Sequence, residues 1–194
     1  VNLATNPSLE RGTTGWGTLQ AGTIGTTSQF QTFGAWSGSV APTSNGTAGA
    51  VGPTFTAGNG TTYYFSAYVK GANGIPYRLA VGDSSGVNFV GSTTFTGGGT
   101  WQRYVGSWTE ASGVTRRAVL TKNASADTSA FYIDGLQVEP SAYTTYLDGA
   151  DERGTWQGAP HASQSYRSGQ DRSGGSVVAL QDLGMLVNDA LGVG

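Results

Sequence analysis

The nine residues TYYFSAYVK, Thr62 to Lys70, decide the fold. Their alternation puts Tyr63, Phe65, Ala67 and Val69 on one face of an extended chain and Tyr64, Ser66 and Tyr68 on the other, which predicts a strand with the first face in the core. Gly71-Ala-Asn-Gly74 supplies a tight turn, and IPYRLAVGD (75–83) is expected to return antiparallel beside it. Downstream, the turn DSSG at 83–86 precedes the strand VNFVGSTTF (87–95). After the glycines at 97–99, TWQRYVGSWTEA (100–111) sets Tyr104, Gly106 and Trp108 on one face. Val114 to Thr121 and Ala130 to Glu139 complete the downstream set. Upstream, VNLATNPSL (1–9) predicts a short first strand, followed by Glu10 and a loop. Residues 18–30 and 34–42 carry single apolar residues, Leu19, Ile24, Phe30, Phe33, Trp36 and Val40, at weaker strand positions. Turn signals at a spacing of roughly 8–12 residues, with no helical period, indicate a two-sheet antiparallel β-sandwich or jelly roll.

Composition supports the all-β reading. Glycine accounts for 32 of 194 residues, against a usual share of about 7%. It belongs in turns between short strands, where a positive φ is needed. Formal net charge is −2, and basic residues occur singly apart from Arg116-Arg117. Nucleic-acid binding by counterion release needs clustered cations, so nucleic acid is an unexpected partner. No run of about 18 apolar residues predicts a membrane span, and no signal-peptide-like leader is seen. The absence of cysteine rules out disulfides, thiolate metal sites and a cysteine nucleophile. The chain opens at Val1 and reads as a processed chain or a segment of something longer.

Pro140 ends the sandwich pattern, so the expected organisation is a sandwich over 1–140 and an extension over 141–194. Residues 143–167 read as a strand, a polar loop and a second strand, a hairpin-like element. The apolar residues Leu180, Leu183, Met185, Leu186 and Val187 need a surface to cover. They make the extension a candidate docking element.

Four pieces in order, NLATNPSLE with a following GW (Asn2 to Trp16), YYFSAYVKG (Tyr63 to Gly71), TWQRYVGSWT (Thr100 to Thr109) and FYIDGLQVE (Phe131 to Glu139), resemble carbohydrate-binding modules of the family 4/9/22 type. The resemblance implies a jelly roll, a structural Ca²⁺ held by Glu10 and Asp134, and in some members a glycan across the concave sheet. This chain departs from the pattern at Gly135, where many members carry a second acid. Residues 141–194 resemble a tract of bacteriophage minor tail and tail-tip proteins, carried by YLDG (146–149), GTWQG (154–158), APHAS (159–163) and Arg167. That likeness implies a virion tail component, in contact with other tail subunits as an oligomer and with a host cell-surface glycan.

Sugars are recognised by flat apolar surfaces beside hydrogen-bonding groups. Tyr64 and Tyr68, opposite the core face of their strand, are therefore the leading candidates, with Arg78 expected near Tyr68 on the next strand and Trp36 exposed. Trp16, Trp101 and Trp108 fit structural positions. No catalytic residue is expected. His161 is the one histidine and forms no triad, and Asp148, Asp151 and Glu152 lie too close in one turn to face each other across a cleft. Three readings stand: a non-enzymatic virion tail protein that binds host glycan, a module from a secreted bacterial polysaccharide-degrading enzyme, and a tail decoration that binds no sugar.

Overall fold

In the computed structural model the described residues are 1–146, together with the backbone of two short strands, Gly154–Trp156 and Ser165–Arg167. Among them there is no helix. One five-stranded antiparallel sheet has the order β1 (Gly17–Leu19), β4 (Gly49–Ala57), β9 (Val114–Lys122), β6 (Pro76–Gly82) and β7 (Phe89–Thr96). The second has the order β2 (Thr23–Thr27), β3 (Ser37–Ala41), β10 (Phe131–Pro140), β5 (Thr62–Lys70) and β8 (Gln102–Thr109). The Gly154–Trp156 and Ser165–Arg167 strands, β11 and β12, pair antiparallel as a small hairpin. The all-β sandwich with a hairpin in the extension is thus as the sequence predicts. His161, the acids at 148, 151 and 152, and the apolar residues 180–187 lie outside the described residues.

The core forms where the inward faces of the two sheets meet. Tyr63, Phe65, Ala67 and Val69 of β5 are buried as their alternation requires, against Tyr77, Leu79 and Val81 of β6 and Phe131, Ile133 and Val138 of β10. Trp108 of β8 stacks on Tyr63 with ring centroids 4.8 Å apart. Gly106 lies opposite Phe65, and a Cβ there would meet the phenyl ring.

Three sequence expectations are corrected. IPYRLAVGD does not return beside β5, whose neighbours are β10 and β8. Instead β6 crosses to the other sheet and pairs with β9 and β7. Tyr77, Leu79 and Val81 have to cover the apolar face of β5, which a strand in the same sheet cannot do. The crossing is pinned where the Ala72 N–H donates to the Tyr77 hydroxyl at 2.9 Å. Next, residues 1–9 form no regular strand. Asn2 acts as a surrogate rung beside β10, donating from Nδ2 to the Leu136 carbonyl at 2.9 Å and accepting the Val138 N–H on Oδ1 at 2.9 Å. Finally, β4 is a strand that sequence reading missed, because Pro53 argues against a place inside a sheet. The register slips between Val51 and Thr54 opposite β9. A bulge leaves a residue out of the ladder, so the missing proline N–H costs no rung there.

Candidate functional site

The outward face of the β2–β3–β10–β5–β8 sheet gathers the polar and aromatic residues. Tyr68 lies opposite Asp134 on one side and Arg103 on the other, Ser66 opposite Gln137 and Val105, and Tyr64 opposite Glu139 and Ser107. Arg103 leans along this face, its Nη2 donating to Ser66 Oγ at 2.9 Å and to Gln137 Oε1 at 2.7 Å. Its guanidinium carbon is 5.6 Å from the Tyr68 ring centroid and 4.7 Å from that of Tyr143, within cation–π range of both. Lys70, two residues beyond Tyr68, has its Nζ 3.5 Å from the Phe30 centroid.

Beyond β10 the chain turns back and crosses this face as a strap, residues 141–146. Ser141 takes a left-handed conformation, φ 68°, and its N–H donates to the Thr62 carbonyl at 2.8 Å. The Thr144 N–H donates to Glu139 Oε2 at 3.1 Å, and its hydroxyl donates to Glu139 Oε1 at 2.7 Å. Gln137 Nε2 donates to the same hydroxyl at 3.1 Å. Tyr146 packs on Phe33 with centroids 4.2 Å apart. Under the strap and the neighbouring loop, Ser66, Gln137, Glu139 and Asp134 are buried, each with the hydrogen-bond partner that burial demands. Tyr143 stays 46% exposed, so it forms part of the accessible surface.

The loop after β2, residues 28–36, is held by two carboxylates. Asp134 Oδ2 accepts the N–H groups of Thr32 and Phe33 at 2.7 and 2.9 Å, and its Oδ1 accepts that of Gly135 at 2.7 Å. Glu10 Oε1 accepts the N–H groups of Ala35 and Trp36 at 2.9 and 2.8 Å. The fold therefore brings Glu10 and Asp134 to one loop across more than a hundred residues of sequence. Burial pushes the Asp134 carboxyl up to about 7; its amide bonds pull the other way, and the Glu10 charge adds to the rise. Among the described residues no third acid or histidine joins the pair to make a metal-binding group. In this structure the two carboxylates clamp the amides of the loop.

Gly135 has a physical reason here. It sits at the β10 bulge with φ 57°, and a Cβ would lie 2.8 Å from Phe33 Cε2. An acidic side chain would be strained by both the left-handed backbone and the ring.

Tyr64 and Tyr68 stand on this face as predicted. Trp36 is the last residue of the loop before β3, 42% exposed. Arg78 does not lie near Tyr68. It is on β6 in the opposite sheet and faces outward there, with Nη2 donating to Asn123 Oδ1 at 2.7 Å and the guanidinium carbon 5.3 Å from the Phe89 ring centroid. The error follows from the hairpin that does not form. Arg103, Gln137, Tyr143 and Thr144 were missed. A signal for Arg103 was present, since with Tyr104, Gly106 and Trp108 inward, alternation turns Arg103 outward. For the strap there was none, because its partners are set by folding back.

No family model and no curated protein sequence matches the chain. Solved structures do. The CBM22-1 xylan-binding domain of Paenibacillus barcinonensis Xyn10C superposes with a TM-score of 0.53 at 19% identity, covering 71% of this chain and 93% of that domain. A structure described as CBM4 aligns over 71% of this chain and 99% of its own length, with TM-score 0.56 and 13% identity. A third match is the enzymatically active domain of tailspike protein 4 of bacteriophage CBA120, with TM-score 0.54 and 16% identity over 72% of this chain and 21% of that one. An arabinose-bound GH51 α-L-arabinofuranosidase gives a TM-score of 0.61 at 11% identity, but this chain spans only 27% of it. The likeness defines the class of the fold, the jelly-roll sandwich of carbohydrate-binding modules.

Proposed function

We propose that this chain is a non-catalytic glycan-binding module of a virion tail, attaching the particle to a host cell-surface polysaccharide. The observation that carries the binding reading is the outward face of the β2–β3–β10–β5–β8 sheet. There the half-exposed rings of Tyr64 and Tyr68 and the exposed ring of Tyr143 stand beside a guanidinium fixed by Ser66 and Gln137. Flat rings beside directed donors are the arrangement that stacks on a sugar and reads its hydroxyls. Weak single contacts are multiplied when copies are linked on one particle, without any new contact. The tail context is supported by the YLDG, GTWQG and APHAS tract of the sequence and by the occurrence of the same fold in a phage tailspike domain. The other subunits of the tail are its proposed partners.

A module of a secreted polysaccharide-degrading enzyme fits the fold equally well, since the fold also occurs in a xylanase, in CBM22-1–GH10 modules complexed with xylohexaose. Calcium at Glu10 and Asp134 belongs to this proposal only if Ca²⁺ raises the melting temperature relative to EDTA.

The test is isothermal titration of the chain with a panel of bacterial wall and plant polysaccharides, with the Tyr64→Ala/Tyr68→Ala variant alongside. Binding that weakens at least tenfold in the variant is expected. An absence of binding up to millimolar sugar overturns the glycan reading and leaves a structural decoration.

A further inference from the structure

Charge is distributed on this face in a way that bears on which glycan it takes. Three acids approach it, and each is engaged in hydrogen bonds to loop amides or to Thr144. Asp134 is fully buried and receives three amide N–H groups, Glu139 is 5% exposed and holds Thr144, and Glu10 is spent on the Ala35 and Trp36 amides. Among the described residues the two cations have no acid partner. Arg103 and Lys70 rest on aromatic rings, and among the described residues neither pairs with a carboxylate; the ion pair in that set, Arg116 with Glu110, lies elsewhere. A protein of net charge −2 thus presents locally positive groups around Tyr68.

The arginine is also pre-positioned. Ser66 and Gln137 hold one nitrogen, Nη2, and the Tyr68 and Tyr143 rings lie 5.6 and 4.7 Å from the guanidinium carbon. A side chain already fixed in place loses less entropy when it meets an anion. For a neutral polymer, such as one recognised only through hydroxyls, two cations beside the rings bring no advantage. For a polymer with a charge on each repeat they supply both attraction and register.

We infer that the face takes an acid-bearing glycan, one carrying uronate carboxylates or phosphodiesters, with Arg103 and Lys70 meeting the anionic groups and Tyr68 the sugar ring between them. This rests on the glycan reading above and narrows it.

The experiment titrates the full chain with three polymers, a polyuronate, a phosphodiester-linked wall polymer and a neutral xylan, at low salt and at 0.5 M NaCl. Lys70→Gln and Arg103→Gln are run beside the parent chain, and the unfolding midpoint of each is measured. Among the described residues the Lys70 side chain makes no hydrogen bond or ion pair and rests on the Phe30 ring, so its variant keeps the test valid if Arg103→Gln is destabilised. At least one acidic polymer is expected to bind tenfold or more tightly than xylan, to weaken at high salt, and to lose at least threefold in Lys70→Gln. The preferred acidic polymer distinguishes carboxylate from phosphate. Xylan bound as tightly as both acidic polymers overturns the inference while keeping the glycan reading. Acidic binding unmoved in both variants overturns the assignment to this face. No binding to any polymer overturns both.

Discussion

The two outward faces of the sandwich are built on opposite principles. On the β1–β4–β9–β6–β7 sheet, Leu19, Val51, Ala80 and Val119 form a second buried apolar cluster with Phe89 packed on it. Gly86 of the 83–88 loop closes over it, and a Cβ there would strike Val51. The loop itself is held by Asp83, which accepts from Ser85, Val87 and Asn88. On the other sheet the corresponding layer is polar and aromatic, and it is covered by a strap held through hydrogen bonds. An apolar layer contributes burial without directionality. A polar layer has to satisfy every donor and acceptor, so its groups end up in fixed positions. The first face adds apolar burial, and the second holds its polar groups in fixed positions.

The sharpest way to break this contrast is a charge in the apolar layer. Val119→Asp puts an unpaired carboxylate among Leu19, Val51 and Phe89, and the expected loss is about 3 kcal/mol or more, read by chemical denaturation. A loss below about 1 kcal/mol would show that the layer is not a second core. On the polar face, Tyr143→Ala combined with Thr144→Val loosens the strap: it removes the hydroxyl bonds to Glu139 and Gln137 and the ring over Arg103, and leaves the amide of residue 144 on Glu139. The expected cost is roughly 1–3 kcal/mol, together with faster modification of Arg103 by phenylglyoxal, followed by mass spectrometry. Unchanged modification would mean that the strap does not shield the arginine.

A third test sharpens the comparison through pH. The Asp134 carboxyl titrates near 7 in the folded chain, above its ordinary 3.8, so the folded state holds the proton more tightly than the unfolded one. Its contribution is full below about pH 4 and is lost as the pH rises toward 7, beyond which it is flat. Glu110 runs the other way. The Arg116 hydrogen bond, with smaller help from Trp108 and the Ser112 amide, holds it at about 2 against burial, so its contribution is present above about 4.5 and lost as the pH falls. Melting curves of the parent chain and Asp134→Asn are expected to converge from pH 4 to 7, the parent losing its relative advantage. A difference independent of pH would place Asp134 outside this role.

How far the sequence carried the fold varies from element to element. The alternation of β5 and β8 was legible because a sheet buried on one face imposes period two. β4 was not, because Pro53 hides a strand whose bulge exists only against β9. Of the candidate site, the outward placement of Tyr64 and Tyr68 was legible in the alternation of β5, whereas the convergence of Glu10 and Asp134 on the loop 28–36 depends on the fold. Arg78 was misplaced because turn residues at 71–74 do not say whether the next strand stays in the sheet or crosses the core.

By itself the sequence determined the class: glycine-rich turns and alternating aromatic strands leave a β-sandwich as the way to bury those faces. Local residues also determined which side chains point outward. The tertiary structure decided which of those outward residues meet, because strand order and the path of residues 141–146 depend on contacts between residues far apart in the chain. It chose Arg103 over Arg78 as the neighbour of Tyr68, and it turned the segment after Pro140 into a strap that completes the face.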